Sequence, residues 1–238
     1  MNLLLDVGNS RMKWAVGNGE TLSGFGHADH RGDAAGAFYS LDWPQVSSVW
    51  VASVMTADDN GKLAERIHAR FKIAPQFART EKTKHGLTAA YAEPQRLGVD
   101  RWLAMLALWS ETKAAFVVVS AGTALTVDAV RENGQHLGGV IAPGLLTMQK
   151  ATLGHTRFET RDLSIPYTSG LGTDTEGCVR QGALHAATGL IERLAAKHNG
   201  VRFICGGDAE TLRPHLAGEW RIRPHLVLDG LNRLASIS

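Results

Sequence analysis

Two segments of the chain share one layout, in which an apolar run leads into a glycine turn and then into a second apolar run. The first copy covers residues 3–16 and the second covers residues 117–130, with Gly8 corresponding to Gly122. A further turn and a third candidate strand follow each copy. Two such units, separated by about half of the chain, predict duplicated α/β halves that each offer a hairpin to a shared cleft.

The first glycine turn has features of a phosphate site. Gly8 allows a sharp turn and a close backbone approach to a ligand, and successive N–H groups in such a turn bind anions. Asp6 at the strand end suits a hydrated Mg²⁺, which takes few carboxylates together with waters and phosphates. An ordinary hairpin has the same Asp-x-Gly-Asn pattern, so the first copy alone leaves both interpretations open.

Composition excludes several classes of protein. The 238 residues allow one large domain or two of about 110–120 residues. The net charge of +2 does not predict nucleic-acid binding, and the ten histidines are scattered without zinc-ligand spacing. Two cysteines form no disulfide framework and indicate a reducing compartment. We find neither a secretory signal nor an apolar run long enough for a membrane span, so we expect a cytoplasmic protein without a membrane partner.

Strands alternate with helices along the chain. Residues 46–54 are apolar and β-branched and predict a buried strand, whereas Leu63, Ile67 and Phe71 share one face of a predicted helix over residues 60–72. Residues 81–96 lack a clear period and read as an irregular connection. The remaining predicted elements are a helix over 98–112, a strand over 136–144, helices over 145–153 and 172–199, strands over 201–205 and 221–227, and a closing helix over 228–237.

Asp100 lies where the helix after Leu97 begins, and it has two interpretations. Its carboxylate suits an N-cap, which accepts an N–H of the first helical turn. An acid beside a glycine turn at a helix start is also where a catalytic base is exposed, and Arg101 could pair with an anionic ligand. Composition and spacing leave both open.

Four motifs taken together resemble the type III pantothenate kinases. They are Asp6-Val7-Gly8-Asn9-Ser10, Gly98-Val99-Asp100-Arg101, Gly122-Thr123-Ala124 with Thr126 and Asp128, and Gly138-Gly139-x-Ile141-x-Pro143-Gly144. The resemblance covers nearly the whole chain in order. It implies the actin-like ATPase fold of acetate and sugar kinases, an α/β fold of two ribonuclease-H-like lobes with an inter-lobe cleft, here residues 1–113 and 114–238.

The resemblance also implies an activity and a set of site residues. The activity is ATP-dependent phosphorylation of the primary hydroxyl of pantothenate to 4'-phosphopantothenate, the first step of coenzyme A biosynthesis. Asp100 is implied as the catalytic base. The residues implied to hold the phosphates of ATP, with Mg²⁺ near Asp6, are Asp6, Val7, Gly8, Asn9, Ser10, Arg11, Met12, Lys13 and Thr123. Those implied to bind pantothenate are Tyr91, Gly98, Val99, Asp100, Arg101 and, from the neighbouring subunit of a homodimer, Thr175.

One residue departs from the family pattern. Family members usually carry an aspartate before the Ala-Gly-Thr-Ala turn, where it is associated with a monovalent cation, K⁺ or NH₄⁺. This chain has Ser120 at that position. Because a hydroxyl is a weaker cation ligand than a carboxylate, we expect weak or absent K⁺ dependence.

Two other functions fit the same fold. The first is a nucleotide-binding regulator without catalysis, which the change at Ser120 permits and which intact Asp6, Asp100 and Arg101 argue against. The second is a small-molecule kinase of the same superfamily with another substrate, because a fold does not determine its substrate.

Overall fold

The computed structural model describes residues 1–18, 20–154 and 166–236. The strands are β1 (Asn2–Val7), β2 (Arg11–Gly17), β3 (Leu22–Asp29), β4 (Ser48–Ser53), β5 (Gln76–Phe77), β6 (Thr83–Lys84), β7 (Leu87–Thr88), β8 (Phe116–Ala121), β9 (Ala124–Val130), β10 (His136–Pro143), β11 (Val201–Cys205) and β12 (Arg221–Ile222). The α-helices are α1 (Ala34–Tyr39), α2 (Ala57–Phe71), α3 (Val99–Thr112), α4 (Leu145–Gly154), α5 (Thr175–Ala195), α6 (Ala209–Leu212) and α7 (Leu226–Ala235).

The chain forms two compact units with the same sheet topology. The first unit holds a sheet of order β3-β2-β1-β4-β5 and the second a sheet of order β10-β9-β8-β11-β12. In each sheet the first three strands along the chain are antiparallel neighbours, and the fourth strand joins the first in parallel. The predicted duplication of an α/β unit is therefore confirmed.

The first unit has a core on each side of β1. Leu3, Leu5 and Val7 point to one face and pack with Leu63 and Ile67 of α2. These two α2 residues lie on the face that their spacing predicted, and Thr56 caps the helix by accepting the Asp59 N–H. Because strand side chains alternate, Leu4 and Asp6 point to the opposite face.

The last helix belongs to the first unit. This unit comprises residues 1–112 and the C-terminal residues from His225 onward, and the second comprises Lys113–Pro224. Helix α7 packs against α3 and β1, where a Cβ at Gly230 would overlap the Leu103 carbonyl. The sequence assigned this helix to the second lobe because it follows that lobe along the chain.

The second unit is built around β8 and α5. Val117 and Val119 of β8 pack with Leu184 and Ile191 of α5 in a buried apolar cluster. Residues 145–154 form helix α4, close to the predicted bounds. Among the described residues, no helix is long and apolar enough to cross a membrane.

Three predicted elements differ from the structure. The last strand ends at Ile222 rather than 227, because Pro224 lacks an N–H for the ladder and helix α7 starts two residues later. The irregular connection over 81–96 contains the small β6–β7 hairpin and a 3₁₀ turn over Pro94–Arg96. Helix α5 ends at Ala195. The sequence also predicts a polar, irregular connection over residues 157–172, of which 157–165 lie outside the residues that the structure describes.

Candidate active site

The turn between β1 and β2 is short and tightly closed. The Gly8 N–H donates to the Arg11 carbonyl at 3.0 Å, and Asn9, Ser10 and Arg11 are exposed. Gly8 is not among the residues with positive φ, so the turn conformation itself does not demand glycine. The same holds for Gly122 in the second hairpin, where an added Cβ would meet no atom within 4 Å. The open space beside the Gly122 Cα leaves room for a ligand.

Asp6 lies at the end of β1, where charged groups converge. It is half-buried and sits opposite Lys13 on the neighbouring strand β2. Burial raises the pKa of Asp6 to about 6, the Lys13 charge opposes this rise, and the Asp100 charge adds to it. The charges of Lys13 and Asp100 therefore both act on the Asp6 carboxylate within the first unit.

The raised pKa of Asp6 predicts that Asp6→Asn stabilises the ligand-free protein at neutral and alkaline pH. Because the folded-state pKa lies above the ordinary value of 3.8, folding takes up a proton between pH 3.8 and about 6. The stability that the folded protein gains from protonated Asp6 is present at low pH and is lost as the pH rises through about 6. The gain from Asn is expected to reach up to about 3 kcal/mol near pH 8 and to vanish near pH 4.

Thermal unfolding from pH 4 to 8, in EDTA and without nucleotide, measures this effect. Asp29→Asn is the matched control, because Arg11 holds the pKa of the exposed Asp29 below its usual range. Its substitution is expected to leave Tm unchanged or slightly lower at pH 8. An Asp6→Asn protein less stable than wild type at pH 8 would show that ionised Asp6 is compensated by its neighbours.

The Asp100 carboxylate lies against Gly98 at the start of α3. Helix α3 begins at Val99, and the Trp102 N–H donates to the Gly98 carbonyl at 3.1 Å, so Gly98 occupies the N-cap position. Asp100 is therefore not the N-cap, although its Oδ1 accepts the Arg101 N–H at 2.8 Å. A Cβ at Gly98 would lie 2.6 Å from the same Oδ1. Glycine thus leaves the space that the Asp100 carboxylate occupies.

The structure brings Arg101 and Tyr91 together. Arg101 is only 6% exposed, and its Nη1 donates to the Tyr91 hydroxyl at 3.2 Å. A buried guanidinium beside a phenol can bind a carboxylate with two parallel hydrogen bonds.

Two residues that no sequence pattern marked, Lys82 and Thr80, hold the segment around Tyr91. The Lys82 ammonium donates to the carbonyls of Ala89 and Tyr91, both at 3.0 Å. Thr80 is buried and donates from its hydroxyl to the Leu97 carbonyl at 2.8 Å. Neither residue stands in a motif or a periodic pattern, so no sequence signal marked them.

The second hairpin is held by close backbone packing. The Thr123 carbonyl accepts hydrogen bonds from the Gly144 N–H at 3.0 Å and from the Thr147 hydroxyl at 2.7 Å. A Cβ at Gly144 would overlap the Gly122 carbonyl. The Pro-Gly motif at the end of β10 therefore supports the second hairpin, and Thr123 is exposed at the tip of that hairpin.

Two other motif residues, Asp128 and Gly138, have roles in the fold of the second unit. Asp128 is buried and its Oδ1 lies 3.0 Å from Nε2 of the fully buried His136, a contact that no sequence pattern predicts. Gly138 has a φ of +104° at a β-bulge in β10, which explains one of the paired glycines by strand geometry.

The second unit also contains Thr175 and Ser120, two residues that the sequence singled out. Thr175 is the first residue of α5 and is half-buried, and the cap of this helix is Asp174, whose Oδ1 accepts the Gly177 N–H at 2.6 Å. Ser120 is half-buried in β8 beside Thr126 and Cys205 on neighbouring strands. Among the residues that the structure describes, no cluster of three or more His, Cys, Asp or Glu could hold a metal ion.

Known structures identify the class of protein to which this architecture belongs. A Baf family protein from Campylobacter jejuni matches with a TM-score of 0.66 and 20% identity over 99% of this chain and 98% of that one. The activator of 2-hydroxyisocaproyl-CoA dehydratase from Clostridium difficile, solved with ADPNP, matches with a TM-score of 0.54 and 12% identity over 99% and 93%. The fold is that of the actin-like ATPases and sugar kinases.

The sequence then identifies the family. The type III pantothenate kinase family model matches residues 2–197. The curated type III pantothenate kinase of Marinobacter nauticus is 36% identical over 247 residues, which cover 99% of this chain and 98% of that protein. The chain belongs to the type III pantothenate kinase family.

Proposed function

We propose that this protein transfers a phosphoryl group from ATP to the primary hydroxyl of pantothenate, giving 4'-phosphopantothenate in the first step of coenzyme A biosynthesis. One observation within the first unit carries the proposal beyond family membership. An acid, Asp100, adjoins a buried guanidinium, Arg101, which contacts the hydroxyl of Tyr91. The substrate offers the matching groups, since pantothenate has a hydroxyl at one end and a carboxylate at the other.

Asp100 orients the acceptor hydroxyl in this proposal. A carboxylate is a far weaker base than an alkoxide, so it cannot remove the proton of an alcohol beforehand. Asp100 therefore accepts it late, as the bond to phosphorus forms, which suits the loose transition state of phosphoryl transfer. Positioning by Arg101 and Tyr91 and stabilisation of charge by backbone N–H groups supply most of the acceleration.

Each unit, taken by itself, has a hairpin turn that suits a phosphate group. We assign the phosphates of ATP to residues 6–13 and to Thr123. The exposed turn after β1, the Lys13 ammonium and the space beside Gly122 support this assignment. The Asp6 carboxylate suits a hydrated Mg²⁺ near the phosphates, and the bound ion supplies charge neutralisation.

A coupled assay of ADP release tests the function. Purified protein is given Mg²⁺ and ATP with pantothenate or with each of several sugars. Release that depends on pantothenate supports the proposal. Release with a sugar alone would indicate another kinase of the same fold, and no release with any substrate would favour the nucleotide-binding regulator.

We further propose a cytoplasmic homodimer in which Thr175 contacts pantothenate bound by the partner subunit. The two cysteines of the chain and their lack of disulfide spacing agree with a reducing compartment. Light scattering at assay concentration is expected to give twice the mass of one chain. A mass of one chain with full activity would contradict the intersubunit contact.

Ser120 predicts that the kinase needs little or no K⁺. A hydroxyl coordinates a monovalent cation more weakly than the carboxylate usual in the family. We expect the rate of ADP release to change little when K⁺ is replaced by tetramethylammonium at constant ionic strength. The Ser120→Asp variant is expected to gain a response to K⁺. A strong loss of wild-type activity without K⁺ would contradict this prediction.

A further inference from the structure

His30 follows strand β3 and is buried against the turn between β1 and β2. Its side chain is 5% exposed. Its Nε2 lies 2.7 Å from the Gly8 carbonyl oxygen, and the Gly32 N–H donates to its Nδ1 at 3.1 Å. The His30 backbone N–H donates to the Ser10 carbonyl at 3.1 Å. One residue therefore contacts both ends of the turn Gly8–Ser10.

These contacts determine which ring nitrogen of the neutral imidazole holds the proton. A backbone N–H can only donate, so Nδ1 must be the unprotonated nitrogen that accepts from Gly32. The proton of the neutral imidazole is then on Nε2 and is donated to the Gly8 carbonyl. Arg31 has a φ of +48°, and this left-handed turn brings the following Gly32 N–H back to the ring. The Asp33 N–H donates to the His30 carbonyl at 2.7 Å, and helix α1 begins at the next residue.

Holding the Gly8 carbonyl also directs the next amide. In a planar trans peptide the C=O of one residue and the N–H of the next point in opposite directions. Because the Gly8 carbonyl points at His30, the Asn9 N–H points away from it. A free rotation of this peptide would exchange the N–H for a carbonyl oxygen, which repels an anion.

We propose that His30 is a positioning residue for nucleotide binding, which orients the Asn9 N–H toward the phosphates of ATP through its bond to Gly8. The inference rests on the proposed function, in which the turn Gly8–Ser10 binds those phosphates. His30 itself touches the turn and not the ligand.

Two substitutions separate the contacts of the ring. His30→Gln carries an amide nitrogen near the position of Nε2 and keeps a donor for the Gly8 carbonyl. His30→Asn carries an amide oxygen near the position of Nδ1, which keeps the acceptor for Gly32 and loses the bond to Gly8. We expect His30→Asn to raise KM for ATP about tenfold, as the loss of one oriented hydrogen bond predicts. KM for pantothenate should stay within about twofold, and His30→Gln should retain most of the wild-type ATP affinity.

Calorimetric titration with ADPNP measures the same effect without turnover. A wild-type protein that binds ADPNP and releases no ADP with pantothenate would overturn the proposed function, whereas the comparison of the His30 variants would still decide the inference. His68→Gln and His68→Asn are the matched controls, because His68 is exposed on α2 in the same unit. Equal losses of ATP affinity in His30→Gln and His30→Asn, or a parallel rise in KM for both substrates, would overturn the inference.

The ring can also be examined in the wild-type protein, which removes any dependence on how the variants fold. Nitrogen-15 NMR distinguishes a protonated from an unprotonated imidazole nitrogen. We expect a protonated Nε2 and an unprotonated Nδ1 for His30, with a shift of the Nε2–H signal when ADPNP binds. The opposite tautomer would overturn the inference.

Discussion

Asp100→Asn is expected to lower kcat for pantothenate-dependent ADP release by about a thousandfold or more. A positioned general base accelerates the reaction by a factor of about 10²–10⁴. The amide also lacks the acceptor oxygen that orients the hydroxyl. ATP affinity is expected to change by only a few fold, since the nucleotide is assigned to other residues. Single-turnover kinetics and a separate titration with ADPNP measure the two quantities.

The matched control for Asp100 is Asp58→Asn. Asp58 also lies in the first turn of a helix of the first unit, but it is exposed, and it forms an i,i+4 ion pair with Lys62 at 2.6 Å. Such an exposed surface pair contributes little to stability, so activity should be unchanged. If Asp100→Asn kept a nearly normal kcat, the bond to the Arg101 N–H would be the whole role of this carboxylate.

Arg101→Met is expected to raise KM for pantothenate about a hundredfold, with a smaller effect on kcat. Methionine fills much of the space of the buried side chain but cannot bind a carboxylate, and a buried charge-assisted pair contributes about 1.5–3 kcal/mol. KM for ATP should change little. Initial rates over a matrix of both substrate concentrations measure the two constants.

A neutral substrate analogue tests the role assigned to Arg101. When the carboxylate of pantothenate is replaced by a hydroxymethyl group, the wild-type protein should lose most of its advantage over Arg101→Met. Arg96→Met serves as control, because Arg96 is exposed in the 3₁₀ turn that precedes α3 and forms a long surface ion pair with Glu93 at 3.7 Å. A hundredfold difference that persisted with the neutral analogue would indicate that Arg101 supports the fold of the site and not the carboxylate.

Local patterns were sufficient for much of the fold. The apolar runs of β1, β2 and β4 and the spacing of Leu63 and Ile67 in α2 predicted elements that the structure contains. These signals work because burial of one face imposes a period of two in strands and of about 3.6 in helices. Where a proline stops a ladder, as after β12, the apolar pattern extended the strand too far.

The candidate site was predictable in its motifs and less so in its contacts. Asp6, Asp100, Arg101 and Thr123 stand in short motifs with glycine, which sequence comparison detects. The residues that support them do not belong to such motifs. Lys82 and His30 act through backbone carbonyls, and any residue supplies a carbonyl, so no pairing of side-chain types identifies these contacts in the sequence.

The sequence by itself determined the duplicated strand–turn–strand units, the acid–base pair at the start of α3 and the family, because each depends on residues close together along the chain. Only the tertiary structure decided three further points: that helix α7 packs in the first unit, that the charge of Asp100 reaches Asp6, and that His30 holds the turn after β1. Each of these joins segments far apart in sequence, and their meeting depends on how the sheet and its helices bury apolar surface together.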